Sequence, residues 1–345
     1  MHWFPDVLRK FSSRSTRESG LRLDMGERAL NFPQKEFNKF LSSLNQEDFI
    51  CYPSEEDYES LKERIAALEG ISSSFVNLSF GSDQAIKNIF DLCAQPQGEV
   101  VINDPSFPMY KVYADMFKMK CVTVGYEPSL DFNLKGMLDR LGPNTSFVIL
   151  TNPNSPFGAI KSLDDIAFLC KELADRDICL LVDEAYIDFG GESAVSLITT
   201  YDNLFICKTF SKAWGAAGAR CGYIVSSPFN ILQLEKIRPS FPLTGATLRY
   251  LNFLLQHPQF KEQYVKEILE EKNKIKKNID SRFSVKYGNV NWIHINDVDD
   301  NIFLDKLLQS HKISYKNGLT IPYDQRKNWI RLGIKPGISD FLNTR

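Results

Sequence analysis

The sequence predicts an α/β fold, with a doubly wound, mostly parallel sheet in a large domain and a smaller α+β domain after it. Short apolar runs alternate with helical patterns from about residue 54 to 225, as strands joined by crossover helices do. Several runs, FVIL, CLLV and LFIC among them, are apolar at every position, as strands covered on both faces are. After about residue 240 the alternation stops, and a long charged helix precedes short strand-like pieces. The expected division is an arm with part of the small domain over 1–45, a large domain over 46–240, and a small domain over 241–345.

In chain order, the first thirty or so residues are irregular and read as an arm crossing onto the body or a partner subunit. A helix is predicted over Ser54–Leu68, with Ser54 as cap, Asp57 three positions on, and Tyr58, Leu61, Ile65 and Leu68 on one face. Gly70 supplies the stop. Seven strands follow: Val76–Phe80, Glu99–Asn103, Cys121–Tyr126, Phe147–Thr151, Ile178–Val182, Asn203–Cys207 and Gly222–Val225. The charged helix is Gln259–Ile279, with Val265, Ile268, Leu269, Ile275 and Ile279 on its apolar side. Further strand-like pieces lie near Val290–Ile295 and Trp329–Leu332.

A chain of 345 residues can bury a large core in two domains. Its 43% hydrophobic content, 24% charged content and net charge of −2 give no reason to expect nucleic acid or an anionic membrane as partner. Seven scattered cysteines without a CxxC pair argue against a zinc site or a disulfide framework and fit a reducing cytoplasm. No apolar run approaches the ~20 residues that span a bilayer, and the start MHWFPDVLRKFSSRS lacks the apolar stretch of a secretory signal.

In an open α/β sheet, ligands gather at the carboxyl ends of the strands, and the unusual polar residues of this chain fall there. Lys212, in TFSKAWGAAGAR, leaves the apolar run NLFIC. Burial and cationic neighbours lower an amine's pKa and ready it to form a Schiff base with a carbonyl compound. Thr209, Ser211 and Arg220 suit a phosphate near that amine. A carbonyl compound carrying a phosphate describes pyridoxal phosphate. Ser82 and Asp83 open a helix whose N–H groups could hold the phosphate, or serve as its cap. Phe107, in a proline-flanked turn, could stack on a planar ring or pack in the core. Asn154 and Ser155 lie in the loop NPNSPFG, fixed by two prolines and a glycine. Asp183, at the end of ICLLV, is a carboxylate that burial makes costly without a positive partner. A protonated pyridine nitrogen is such a partner, and a structural salt bridge or a metal are the others. A metal is disfavoured because no histidine or acid cluster beyond Glu184 accompanies it. Tyr186, three positions on, can reach a ring hydroxyl.

Together, GSD, DPSFPMY, NPNSPFG, DEAY and FSKAWGAAGARCGY resemble the ordered motifs of fold-type I pyridoxal-phosphate-dependent aminotransferases. The branch they resemble most is that of histidinol-phosphate aminotransferase and threonine-phosphate decarboxylase, over about Leu23 to Arg331. The resemblance implies a PLP-transferase fold of type I with a seven-stranded large-domain sheet, pyridoxal 5'-phosphate as cofactor, and a homodimer with composite sites. It implies Lys212 as the Schiff-base lysine and proton carrier, Asp183 at the pyridine nitrogen, Tyr186 at the ring hydroxyl and Phe107 on the ring. It implies Ser82, Asp83, Thr209, Ser211 and Arg220 around the phosphate, with Tyr52 contributed by the partner subunit. Arg331, in WIRLG, matches the arginine that grips the substrate's carboxylate or phosphate. The family's NPxNPTG loop reads NPNSPFG here, placing Ser155 where an asparagine usually bonds the ring oxygen, with Asn154 beside it. Its NENP-like segment reads MGERALNFP, with Glu27 and Arg28, and Lys316 replaces an arginine that helps hold the substrate phosphate.

The expected function is transamination between a small, phosphorylated amine or keto compound and a second partner, an amino donor meeting a keto acceptor. The alternative on the same residues is decarboxylation of an O-phospho amino acid. A third reading, a silent PLP-fold regulator, is disfavoured by an intact Lys212 and Asp183.

Overall fold

The computed structural model describes residues 20–297, 301–326 and 328–343. Two short strands, β1 (Leu21–Arg22) and β11 (Ile313–Ser314), pair in parallel and tie the arm to the C-terminal lobe. The part of the expected arm before residue 20 lies outside the described residues.

The large sheet holds β2 (Val76–Ser79), β3 (Glu99–Asn103), β4 (Lys120–Val124), β5 (Thr145–Thr151), β6 (Cys179–Asp183), β7 (Leu204–Thr209) and β8 (Gly222–Val225). Their order across the sheet is β2-β8-β7-β6-β5-β3-β4. All run parallel except β8, which is antiparallel to both neighbours. Leaving β3, the chain steps outward to β4 and then returns to the other side of β3 as β5. That reversal is the crevice where open α/β sheets bind ligands.

The double cover expected from FVIL, CLLV and LFIC is present. Val148, Leu150, Leu180, Val182, Leu204 and Ile206 join one core, shared with the helix Leu163–Ala174. Phe147, Ile149, Leu181, Phe205 and Cys207 join another, against the helices Gly81–Cys93 and Met109–Met116. Each core strand therefore loses water on both faces, at roughly 25 cal/mol per Å² of apolar surface. The helix Gly245–Leu255 sends Leu248, Leu251 and Leu254 into the first core, beside Tyr58 and Leu61. These residues pack with the large sheet although they follow the expected division at 240.

The helix Glu55–Glu69 starts as its sequence indicates: the Ser54 hydroxyl accepts from the Asp57 backbone N–H, and the Asp57 carboxylate takes the Ser54 N–H in return. Gly70 ends it in the left-handed conformation. At Gly81–Cys93 neither Ser82 nor Asp83 caps; the N-cap residue is Phe80, with no side-chain bond.

The second sheet, β12-β13-β10-β9, is antiparallel throughout and consists of β9 (Phe283–Tyr287), β10 (Trp292–Asp297), β12 (Lys316–Leu319) and β13 (Trp329–Gly333). The helix Gln259–Asn278 buries Tyr264, Ile268 and Ile275 in the same core as Ile293, Ile295, Ile330 and Leu332. The turn between β9 and β10 docks on the large sheet's NPNSPFG loop. There a Cβ on Gly288 would sit 2.2 Å from the Phe157 carbonyl oxygen, so no side chain fits.

Candidate active site

A cavity of about 800 Å³ opens at the carboxyl ends of β5, β6 and β7. Ser82, Asp83, Phe107, Ser155, Asp183 and Tyr186 line it, and so do Ser211, Lys212, Arg220, Glu27 and Arg28. The strand-end loops, with the segment that follows β1, thus bring eleven of the sixteen expected residues together.

On β7, Thr209 is buried, and its hydroxyl donates to the Ser211 hydroxyl at 3.1 Å and accepts from the Ser211 N–H at 3.1 Å. This tight turn aims Lys212 into the cavity. Its Nζ donates to the Met25 carbonyl at 2.8 Å and lies 5.2 Å from the centre of the Tyr186 ring. Across the cavity Asp183 is 3% exposed. Its Oδ2 accepts from the Tyr110 hydroxyl at 2.6 Å, and its Oδ1 from the Ala185 N–H at 3.1 Å. Burial pushes the carboxyl pKa up, opposed by those two donors and by the Lys212 charge.

The start of Gly81–Cys93 forms one wall. A Cβ on Gly222 would lie 2.5 Å from the Ser82 nitrogen, so glycine lets β8 approach this helix. Arg220 lies against Gly81 and over the Phe80 ring at 5.6 Å. Asp83 accepts from the Tyr113 hydroxyl at 2.9 Å, which fixes its side chain. Phe107 stands edge-on to Tyr110 at 5.5 Å.

The NPNSPFG loop separates its two candidates. Asn154 is fully buried; its Oδ1 accepts from the Ala159 N–H at 2.9 Å, and its amide lies beside the Tyr126 hydroxyl. Ser155 instead lines the cavity. The loop is held by the second sheet: Trp292 donates through Nε1 to the Pro156 carbonyl at 2.9 Å, and the Asn289 N–H to the Gly158 carbonyl at 2.8 Å.

Arg331 and Lys316 are not part of the cavity wall and belong to a basic row on the second sheet. Antiparallel register sets Lys316, Arg331, His294 and Lys286 in one transverse row across β12, β13, β10 and β9, so all four leave the sheet on one face. Arg331 lies over the Trp292 ring at 4.9 Å and donates to the Asp24 carbonyl at 2.8 Å. Lys316 stays open to solvent, yet the surrounding protein and Arg331 push its ammonium down to about 8. Burial, with Arg331 and Lys286 adding to it, pushes His294 down to about 3 and keeps it neutral.

The remaining candidates are placed differently. Glu27 accepts from Arg22 at 2.9 and 2.5 Å, closing a two-pronged ion pair at the cavity mouth. Arg28 has its guanidinium directed to the Leu30 and Phe260 carbonyls, each at 3.0 Å, between the Phe32 and Tyr264 rings. Tyr52 is 79% exposed, lies outside the cavity and stacks on Phe241 at 4.2 Å. Tyr110, Thr151 and Trp292 were not singled out by the sequence, although DPSFPMY contains Tyr110, a polar-tipped aromatic three positions after Phe107. Among the described residues, no group of three or more His, Cys, Asp or Glu side chains is placed to hold a metal.

The profile of class I and II aminotransferases matches residues 23–344, nearly the whole chain. The chain belongs to that family. It is a fold-type I, pyridoxal-phosphate-dependent aminotransferase by descent and by architecture. It is 31% identical over 243 residues to the histidinol-phosphate aminotransferase of Chlorobium limicola, covering 70% of this chain and 66% of that protein, just under two thirds. With the histidinol-phosphate aminotransferase of Prosthecochloris aestuarii the identity is 28% over 330 residues, 94% of this chain and 90% of that one. Of solved structures, the Sinorhizobium meliloti histidinol-phosphate aminotransferase in complex with pyridoxal-5'-phosphate superimposes with a TM-score of 0.81 at 22% identity, over 93% of this chain and 88% of that one. The Porphyromonas gingivalis L-threonine-O-3-phosphate decarboxylase does so with a TM-score of 0.73 at 19% identity, over 93% and 96%. At these identities the two structures share the fold.

The residues of this aminotransferase suit the cofactor. Asp183 is a buried carboxylate whose bonds in the structure come from neutral donors, and a cationic ring nitrogen would offset its cost. The 13-residue helix Gly81–Cys93 begins without a side-chain cap, beside Arg220, Ser82 and Ser211, which leaves its N–H groups for a phosphate.

Proposed function

We propose that the protein moves an amino group between a small phosphorylated amine, or its keto counterpart, and a second amino donor or keto acceptor. The observation that carries this reading is the Lys212 amine at the end of β7 facing, in one cavity, the buried Asp183 carboxylate at the end of β6. In this reading Asp183 holds the ring nitrogen, Tyr186 the ring hydroxyl and Phe107 the ring face. Ser82, Asp83, Thr209, Ser211 and Arg220 hold the phosphate, and Ser155, backed by Asn154, meets the ring oxygen. Arg331 and Lys316 take the substrate's anionic groups, while Glu27 and Arg28 shape the mouth.

When bound, pyridoxal phosphate supplies an aldehyde that condenses with amines and a ring that accepts the electron pair of a breaking bond. Lys212 is the amine that would hold that aldehyde, and as a general base it would carry the proton at the substrate carbon. Asp183 keeps a positive charge on the ring nitrogen, and Arg331 fixes the substrate so that the bond to be broken is correctly aligned. The histidinol-phosphate aminotransferase relatives support a phosphorylated substrate.

The working unit in this reading is a homodimer, with Tyr52 reaching the partner's phosphate site. Its ring is exposed and is not part of the cavity wall of its own chain. We place the protein in the cytoplasm on its seven free cysteines. Among the described residues no helix is long and apolar enough to cross a membrane.

Lys212→Ala should abolish turnover while leaving the fold intact by circular dichroism; wild-type activity in that variant would sink the assignment. Holoenzyme screened against amino acids, amino alcohols and their phosphate esters should show the cofactor converted to its amine form by one phosphorylated amine. Carbon dioxide release without a keto acid would redirect the reading to decarboxylation.

A further inference from the structure

Asp183 does not stand alone at the end of β6. Tyr110, fully buried in the first turn of the helix Met109–Met116, donates its hydroxyl proton to Asp183 Oδ2 at 2.6 Å. The Tyr110 hydroxyl oxygen also lies 2.9 Å from Thr151 Oγ1, which lies 3.2 Å from Ser106 Oγ. A phenol has a single proton. Since Tyr110 gives its proton to the carboxylate, the Thr151 hydroxyl must be the donor toward Tyr110. The Ser106 hydroxyl, in turn, can donate toward Thr151. Three hydroxyls thus point the same way, from Ser106 through Thr151 and Tyr110 to Asp183, and such chains polarise one another.

The strand register builds this arrangement, because Thr151 on β5 is the direct neighbour of Asp183 on β6. Phe107 braces the Tyr110 ring edge-on at 5.5 Å. The Ala185 N–H holds the other carboxylate oxygen at 3.1 Å, so the plane of the Asp183 carboxylate is fixed from both sides. Burial pushes the Tyr110 phenol far above its ordinary pKa, so it remains a donor. Tyr110 is not part of the cavity wall, and it reaches a ligand only through Asp183.

We propose that Tyr110, with Thr151 and Ser106 behind it, is the positioning residue that keeps the Asp183 carboxylate ionised and aimed at a protonated ring nitrogen. The inference rests on the reading of Asp183 as that nitrogen's partner. A carboxylate rotated out of line would still fill the space, but it would not favour a ring nitrogen over a ring carbon. Tyr110 therefore governs how strongly the site distinguishes the two.

The test is binding. The full chain is stripped of cofactor and reloaded either with pyridoxal phosphate or with the analogue whose ring nitrogen is replaced by carbon, and both dissociation constants are read from protein fluorescence. Wild type should prefer pyridoxal phosphate. Tyr110→Phe should weaken that ligand about tenfold while changing the analogue less than about twofold, as loss of a hydrogen bond to a charged group implies. Thr151→Val should shrink the preference in the same direction. Equal weakening of both ligands in Tyr110→Phe marks a structural role and overturns the proposal. If Tyr110→Phe does not fold, an undiminished preference in Thr151→Val overturns it instead. A wild type without any preference would instead overturn the reading of Asp183 itself, and the relay with it.

Discussion

On the second sheet, register sets Lys316 beside Arg331 in the basic row, and the surrounding protein and Arg331 push the Lys316 ammonium down to about 8. Below that pH Lys316 is charged and can hold an anion; as pH rises through it the charge is lost. A phosphate monoester gains its second charge near pH 6. For a phosphorylated substrate kcat/KM should therefore rise to a plateau above pH 6 and fall above about 8, since this ratio reports the free enzyme. Lys316→Arg should carry the plateau past pH 10, while Lys316→Met should lower kcat/KM roughly ten- to a hundredfold below pH 8. A pH profile of the three proteins checks this; an alkaline limb surviving in Lys316→Met would exclude Lys316 as its source. Lys212 and Asp183 could be found in the sequence because each follows a strand signal within a few residues, and Arg220 because it shares the segment TFSKAWGAAGAR with Lys212. Tyr110 could not, because its partner depends on β5 lying next to β6, a non-local pairing that no single motif encodes.

At the scale of elements, the same distinction recurs. Buried strands and the capped helix Glu55–Glu69 are local features, and their signals are local too: an apolar run, a Ser54–Asp57 box, a glycine stop. The helix Gly245–Leu255 packs where its leucines find partners on the large sheet, which its own sequence does not reveal. Nor does sequence reveal why the charged helix Gln259–Asn278 buries Lys272. In the structure that ammonium donates to the Gly288 and Val290 carbonyls, at 2.8 and 2.6 Å, and ties down the turn that carries Asn289 and Trp292 onto the NPNSPFG loop. Burial, with Lys276 nearby, pushes Lys272 down to about 8. The unfolded chain holds that proton up to its ordinary value of 10.5. Wild-type stability should therefore rise between about pH 8 and 10.5, where only the unfolded state is protonated. Lys272→Met removes both donors and should cost about 1–3 kcal/mol at pH 7, and it should lack that alkaline rise. Urea unfolding at pH 7 and pH 10 measures both effects, and equal pH slopes for the two proteins would count against this account of Lys272.

Over the whole molecule, apolar surface is distributed unevenly. Phe49, Ile50 and Tyr52 are 67%, 75% and 79% exposed within four residues of chain, and Tyr52 stacks on Phe241, itself 45% exposed. Single exposed apolar residues are ordinary, but a contiguous group marks an interaction surface. A second copy of this chain fits the surface in the proposed reading, because Tyr52 would then reach the partner's phosphate site. Two consequences should appear together. Sedimentation should show a dimer, and Phe241→Glu, which sets a charge in the patch, should shift it towards monomer. In the proposed reading the site is completed across the interface, so the same variant should also release pyridoxal phosphate more readily and lose the thermal protection that the ligand gives. That protection is worth about 2.7 kcal/mol at a ligand concentration a hundredfold above Kd. Tyr52→Phe separates the two consequences: it should remain dimeric and weaken cofactor binding about tenfold, the value of one charge-assisted hydrogen bond. A monomeric Phe241→Glu that binds the cofactor as tightly as wild type would show that each chain completes its own site.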